Sequence, residues 1–225
     1  MLMHLLGALL ALFLSPGAPT TGTVSGRVVV MRSGRPSADA SDAAVWIEGL
    51  RRTGETPGTV RGEMKSERKR FTPRVVIVPR RDAVEFPNVD PIYHNVFSVS
   101  GANRFDLGLY RSGASKKQRF DESGVVRIYC NIHPTMVGYV RVVDSDYAAV
   151  TPAEGTFRLD AVPPGTYQLK AWHEEGGETS TSIRVLAGEM ATAAITLDAT
   201  GYKAVPHKNK YGKDYPPPPP DDERY

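Results

Sequence analysis

Short runs of valine, isoleucine, tyrosine and phenylalanine, each ended by glycine, proline or aspartate, recur along the sequence. They constrain the fold more than any other feature, because such runs predict β-strands and their breaks predict turns. No stretch shows the 3.6-residue periodicity of an amphipathic helix. With 21 glycines and 18 prolines in 225 residues, the chain is predicted to be all-β rather than a helical bundle.

The predicted strands fall into separate segments. Two strands lie within residues 22–50, and seven short strands within residues 58–145 favour a β-sandwich. Residues 151–198 alternate again across a proline-rich turn and predict a second, smaller β-sandwich. Because about 48 residues cannot bury an adequate core without disulfides or metals, this module needs further strands. Either residues 22–50 and 151–198 form one sandwich that the middle module interrupts, or the modules follow one another.

The two ends of the chain differ from these modules. Residues 1–21 contain an apolar run, Leu5 to Leu14, which has the length of a signal-peptide core and is too short to span a bilayer. We therefore expect export, to the periplasm or beyond. Since the leader begins without lysine or arginine, a retained membrane anchor stays open. Residues 199–225 are polar and rich in proline and lysine, which predicts a disordered tail.

Charge and cysteine content narrow the function. The net charge is +3 and both signs are interspersed, so no basic footprint for a nucleic-acid partner is present. Cys130 is the single cysteine and cannot form an internal disulfide. It is therefore an intermolecular bridge, a buried thiol or a metal ligand.

The stretch "VVRIYCNIHPTM" carries the candidate site. Strand alternation places Cys130 at the end of an inward-facing row, because Arg127 marks the other face as outward. The turn that follows can direct the side chains of Cys130, His133 and Met136 toward one point. A metal here needs a second imidazole, and His94 and His173 are the candidates. His94 is preferred because it follows the end of a strand, whereas His173 belongs to the other module and is expected on the surface.

One cysteine, two histidines and one methionine form the ligand set of a type 1 copper centre. Thiolate and thioether are soft ligands that suit Cu(I), and imidazole suits both oxidation states. Zinc competes for cysteine and histidine, but it rarely recruits methionine. Without a metal, Cys130 would be a buried small hydrophobe and Met136 a core residue.

The spacing Cys130-x-x-His133-x-x-Met136, with His94-Asn95-Val96 upstream, resembles the cupredoxins of the plastocyanin/amicyanin group over about residues 58–145. The resemblance implies a Greek-key β-sandwich holding one copper, with His94, Cys130 and His133 in the ligand plane and Met136 axial. It also implies that Asn95 braces the ligand loop and donates a backbone N–H to the Cys130 sulfur. An apolar patch for docking partners would surround the exposed edge of His133, from these residues: Pro91, Ile92, Ile132 and Pro134.

The second module resembles the carboxypeptidase regulatory-like (transthyretin-like) β-sandwiches. The pattern "G-x-F-x-L-x-x-V-P-P-G-x-Y-x-L" runs from Gly155 to Leu169, and the opening strands of that family would lie between Val24 and Glu48.

These features predict an exported copper protein that carries single electrons between transient protein partners. Four protein ligands leave no open position for a substrate, so we do not expect an enzyme. Copper storage or delivery is one alternative. Another is an adhesion or carbohydrate-binding sandwich with an incidental metal, in which Trp46, Tyr167 and Trp172 line a binding face.

Overall fold

A computed structural model describes residues 20–216. The predicted signal peptide therefore lies almost wholly outside the described residues. The described part is built from β-strands with a short 3-10 helix at Gly101–Asn103, which confirms the all-β prediction. Between residues 20 and 216, no helix has the length and apolar character needed to cross a membrane.

The strands are numbered in chain order. The first nine are β1 (Gly22–Arg32), β2 (Arg35–Pro36), β3 (Ala44–Ile47), β4 (Val60–Glu63), β5 (Lys65–Glu67), β6 (Arg70–Thr72), β7 (Val75–Pro79), β8 (Ala83–Pro87) and β9 (His94–Ser98). The others are β10 (Phe105–Tyr110), β11 (Ser115–Arg119), β12 (Gly124–Tyr129), β13 (Val137–Val143), β14 (Ala148–Val150), β15 (Thr156–Val162), β16 (Gly165–His173), β17 (Gly177–Val185) and β18 (Met190–Asp198).

Strands β1–β3 and β14–β18 form one sandwich, which we call the outer sandwich. In one sheet, β1 pairs antiparallel with β15 and parallel with β18. In the other, β3 lies between β14 and β16, and β17 follows β16. The alternating apolar residues of these strands meet in one core, which includes Val24, Val28, Ile47, Leu159, Leu169 and Leu197. Of the two arrangements left open by the sequence, the strands adopt the nested one.

The strands from β4 to β13 form the interrupting sandwich. One sheet has the order β10-β9-β12-β13-β7, and a second has the order β11-β8-β4. The pairs β13–β7 and β4–β8 are parallel. The core between the sheets includes Phe86, Val96, Phe120, Ile128 and Val140, each fully buried. The candidate ligands lie at one end of this core.

Strand β10 was missing from the sequence prediction. It forms the edge of its sheet beside β9, and its register shifts between Asp106 and Leu109. Gly108 lies within this irregularity with φ of 67°, which glycine adopts without strain. Because the irregularity interrupts the alternation, the stretch does not have the pattern of a strand.

A continuous apolar contact joins the two sandwiches. It contains Ala44, Trp46, Val75, Tyr139, Val143 and Trp172. Trp46 is 3% exposed and Trp172 is 7% exposed. Tyr167 packs against the core of the outer sandwich and donates a hydrogen bond to the Pro163 carbonyl. The three rings therefore do not form the predicted aromatic binding face, because Trp46 and Trp172 are buried between the sandwiches and Tyr167 is half-buried.

Residues 199–216, which the sequence predicts to be part of a disordered tail, make specific contacts with both sandwiches in the structure. The Ala199 amide donates to the Met31 carbonyl, and the chain then crosses to the interrupting sandwich. His207, Lys210 and Tyr215 contact residues beside Cys130. A few aromatic and charged contacts fix this polar segment, which has no strand periodicity to reveal them.

Candidate metal centre

Strand β12 sets the position of the cysteine. Val126, Ile128 and Cys130 are each fully buried, while Arg127 between them is exposed. This confirms the predicted faces of the strand. Cys130 follows the last residue of β12, so its sulfur lies at the end of the core.

The ligand loop, residues 130–136, closes on itself. The Cys130 amide donates to the Met136 carbonyl at 3.4 Å, and the Met136 amide donates to the His133 carbonyl at 3.1 Å. Met136 is fully buried and belongs to the same core as Cys130. Its axial role stays a prediction.

Two separate segments bring three donor atoms together. The ligand atoms of His94, Cys130 and His133 all lie within 4.8 Å of one another. The Cys130 sulfur is 3.8 Å from Nδ1 of His94 and 3.5 Å from Nδ1 of His133. His94 begins β9, whose neighbour in the sheet is β12, and this pairing explains the convergence.

His173 is not part of this cluster. It is 4% exposed, so the expectation of a surface histidine is wrong. Its Nδ1 accepts a hydrogen bond from the Glu175 amide within the outer sandwich. Of the two candidate imidazoles, the structure therefore brings His94, and not His173, to the cysteine.

The donor set fits copper. Metal bonds of about 2.0–2.3 Å, the lengths that zinc makes to nitrogen and sulfur, would place neighbouring ligand atoms about 3.5–3.8 Å apart at trigonal angles. The two sulfur–nitrogen separations, 3.8 Å and 3.5 Å, match this spacing. A thiolate with two imidazoles also matches the preferences of copper in both oxidation states.

A buried carboxylate that the sequence analysis did not assign orients His94. Asp90 Oδ2 lies 2.7 Å from Nε2 of His94. This contact places a proton on Nε2 and leaves Nδ1 free to bind a metal on the side of the sulfur. Burial lowers the pKa of His94 and outweighs the opposing effect of Asp90, so the imidazole is neutral, as a ligand must be.

The backbone holds Asp90 in place. Burial acts to raise its pKa, but hydrogen bonds from the Lys69 amide, His94 and the Arg68 amide keep the pKa below its usual value. The side chain of Asn88 accepts a hydrogen bond from the Asp90 amide and donates to the Ile92 carbonyl. The carboxylate is thus charged and fixed. The spacing of Asp90, four residues before His94, was the available signal.

Three amides surround the cysteine sulfur. Burial raises the pKa of Cys130, while hydrogen bonds from the backbone of Asn95, Ile132 and His133 act to lower it. The role that the cupredoxin resemblance implies for the hydrogen bond from the Asn95 backbone to the sulfur stays a prediction. The side chain of Asn95 does not brace the ligand loop directly, however, because its amide donates to Asp106 on β10 at 2.7 Å.

The expected docking residues lie around the site with different exposure. Pro91, Ile132 and Pro134 are exposed, and Ile92 is half-buried. Tyr93, which the sequence analysis did not include, is 59% exposed in the same segment as Pro91. The docking role of this patch stays a prediction.

Together, the β-sandwich and the cluster of donor atoms at one end of its sheet form a candidate metal centre. Among solved structures, a copper-containing nitrite reductase from Thermus scotoductus SA-01 is similar at 25% identity with a TM-score of 0.35. The match covers 39% of this chain and 23% of the nitrite reductase. This chain thus spans about a quarter of that enzyme's length.

Two smaller proteins are also similar. A purple cupredoxin from Nitrosopumilus maritimus matches at 24% identity and a TM-score of 0.32, covering 36% of this chain and 98% of that protein. A variant of amicyanin in its Cu(I) form matches at 19% identity and a TM-score of 0.35, covering 44% of this chain and 97% of amicyanin.

A family model matches residues 132–193, and its description is polysaccharide lyase family 4, domain II. The predicted carboxypeptidase regulatory-like family is therefore not the one found for the second module. The short motif between Gly155 and Leu169 is a strand–turn–strand pattern that different β-sandwich families can share. No curated protein sequence matches the chain.

Proposed function

We propose that this chain is an exported type 1 copper protein that carries single electrons between redox partners. The proposal rests on one observation: three donor atoms, from His94, Cys130 and His133, converge within 4.8 Å at the end of the sandwich core. When bound, copper would supply a one-electron couple between Cu(II) and Cu(I).

The residues around the donors suit this chemistry. His94, Cys130 and Met136 are fully buried, which keeps water from the ligands. Asp90 fixes the ring of His94, and backbone amides share the charge of the thiolate. Because the core and the hydrogen bonds hold these groups, they would move little when an electron arrives or leaves.

The role of electron carrier, rather than enzyme, follows from the proposed ligand set. With Met136 as the fourth ligand, no position is left for a substrate. Protein partners would approach the half-buried His133 through the apolar rim of Pro91, Ile92, Ile132 and Pro134. A rim of this size fits a small, transient interface.

Export is part of the proposal and depends on the sequence of residues 1–21. A type 1 centre would then work in the periplasm or outside the cell. Association with a membrane would require that the N-terminal apolar segment be retained.

Copper titration tests the proposed function. Adding Cu(II) to the purified protein should give one equivalent of bound copper and an intense visible absorption from charge transfer between thiolate and copper. The absorption should disappear on reduction and return on oxidation. Cys130→Ser should abolish it, since this change removes the thiolate. A colourless copper complex would favour storage or delivery, and failure to bind copper would overturn the proposal.

The axial role of Met136 has a matched test. Met136→Leu should raise the reduction potential and shift the visible spectrum, because the weak donor that stabilises Cu(II) is lost. Met64→Leu is the control, since Met64 is equally buried in the same core. Voltammetry and visible spectroscopy of both variants measure the effect. Equal behaviour of the two variants would rule out Met136 as a ligand.

A further inference from the structure

The segment after β18 connects the two sandwiches. We name residues 202–216 the C-terminal strap. Its first residues, Tyr202 to Pro206, are exposed and line a cleft whose opposite wall includes Tyr139 and Trp172. The contacts that fix the strap beside the candidate metal centre lie between His207 and Tyr215.

Three strap residues contact three consecutive residues around the cysteine ligand. The ring of His207 stacks on Tyr129 at 4.2 Å between centroids. The hydroxyl of Tyr215 donates to the Cys130 carbonyl at 2.8 Å. The amide of Lys210 donates to the side-chain oxygen of Asn131 at 3.0 Å.

The strap is folded so that these groups face the site. The Asn209 amide donates to the Lys213 carbonyl, and the Gly212 amide donates to the Asn209 carbonyl. This turn brings Tyr215 back to His207, where the two rings meet edge to face at 5.1 Å. Tyr215 Oη also lies 3.2 Å from Nδ1 of His207. The strap therefore has a defined conformation of its own.

The strap also reaches the segment that supplies the first histidine. Nζ of Lys210 lies 2.6 Å from Asp106. Asp106 in turn accepts the hydrogen bond from the side chain of Asn95, the residue after His94. Lys210 thus links Asn131, beside one candidate ligand, to Asn95, beside another.

We propose that the C-terminal strap is a positioning element of the metal centre, and that Tyr215 and Lys210 are its positioning residues. The proposal rests on the proposed copper function. Its physical reason lies in the peptide between Cys130 and Asn131. Tyr215 holds the carbonyl of this peptide, and Lys210 holds the next side chain. These contacts hold the start of the ligand loop, which leads from Cys130 to His133.

The first test uses the metal-free protein. Tyr215→Phe removes only the hydroxyl, and amide hydrogen exchange at residues 131–133 should become roughly tenfold faster, as expected for the loss of one hydrogen bond. Tyr211→Phe is the control, because Tyr211 is 71% exposed. Exchange in β16 should be unchanged in both variants. Equal exchange at residues 131–133 in the two variants would overturn the positioning role.

The second test uses the charged link. Lys210→Met should also speed exchange at residues 131–133, whereas Lys213→Met, which removes an exposed lysine of the same strap, should not. With copper bound, Tyr215→Phe and Lys210→Met should shift the visible absorption and the reduction potential, and both controls should match the unmodified protein.

The two proposals fail separately. If the unmodified protein binds no copper, the proposed function fails, while exchange in the metal-free protein still decides whether the strap orders the ligand loop. If copper binds but Tyr215→Phe and Lys210→Met alter neither exchange nor spectrum, the strap proposal fails and the copper function stands.

Discussion

Asp90→Asn should weaken copper binding by roughly 10- to 100-fold, the usual effect of removing a hydrogen-bond partner of a metal-binding histidine. Asp90 accepts a hydrogen bond from Nε2 of His94 at 2.7 Å, and this contact both selects the tautomer and makes the ring a stronger donor. Asparagine keeps the size of the side chain but removes its charge.

The same change should raise the reduction potential. The negative charge beside the imidazole stabilises Cu(II) more than Cu(I), because the higher charge of the ion gains more from a stronger donor. If the affinity for Cu(II) falls tenfold more than the affinity for Cu(I), the reduction potential rises by about 59 mV. Voltammetry should therefore show a positive shift.

Asp82→Asn is the matched control for Asp90→Asn. Asp82 is 1% exposed and precedes β8, whereas Asp90 is 6% exposed and lies beyond the other end of that strand. The carboxylate of Asp82 pairs with Arg61 and accepts a hydrogen bond from the Gly58 amide, away from the candidate ligands. Competition with a copper chelator measures the affinities. Equal affinities for the two variants would show that Asp90 does not orient His94.

The position of Cys130 could be predicted because strand alternation determines where a strand-end residue points, whereas His94 was preferred because it follows the end of a strand. In the structure Cys130 ends the row of Val126 and Ile128, and His94 is the first residue of β9. Asp90 lies in a loop, where the chain has no regular period. Its contact with His94 depends on how Asn88 folds that loop. The four-residue spacing between Asp90 and His94 was the available sign of their contact, but such a spacing predicts a contact only in a helix.

The strap was missed for a different reason. Its composition, rich in proline and lysine, is that of a disordered segment. Its order comes from single contacts, such as the stacking of His207 on Tyr129 and the hydrogen bond from Tyr215. Such contacts join residues far apart in the chain and leave no repeating pattern in the sequence.

The nested arrangement also depends on distant pairing. Alternation within β1 and β18 predicts two strands, but it does not state which strands are neighbours. In the structure β1 and β18 run parallel over nine residue pairs, from Thr23 with Met190 to Met31 with Asp198. The small size of residues 151–198 predicted the nested arrangement better than alternation did, because a module of that length needs further strands to complete its core.

Gly26→Val should lower the free energy of unfolding by about 3 kcal/mol or more, at the upper end of the range for overpacking. Gly26 lies in β1 between β15 and β18. A Cβ atom there would lie 2.0 Å from the Ala193 carbonyl oxygen and 2.7 Å from the ring of Phe157. The carbonyl is backbone, so it can retreat only if β18 separates from β1.

Arg27→Val is the control for Gly26→Val, since it places the same side chain at the next, exposed position of β1. It should change stability by less than about 0.5 kcal/mol. Denaturant unfolding followed by tryptophan fluorescence measures both, because Trp46 and Trp172 lie between the sandwiches. Equal midpoints for the two variants would show that β1 does not pack against β18 at Gly26.

The same experiment reports whether the two sandwiches unfold together. Trp46, Tyr139 and Trp172 form one buried apolar contact between them. Unfolding of the outer sandwich would therefore expose part of the interrupting sandwich to water. In copper-loaded protein we therefore expect tryptophan fluorescence and the visible absorption to change at one midpoint, and Gly26→Val to lower both. If Gly26→Val lowered the fluorescence midpoint alone, the metal centre would be stable without the sandwich that surrounds it in the sequence.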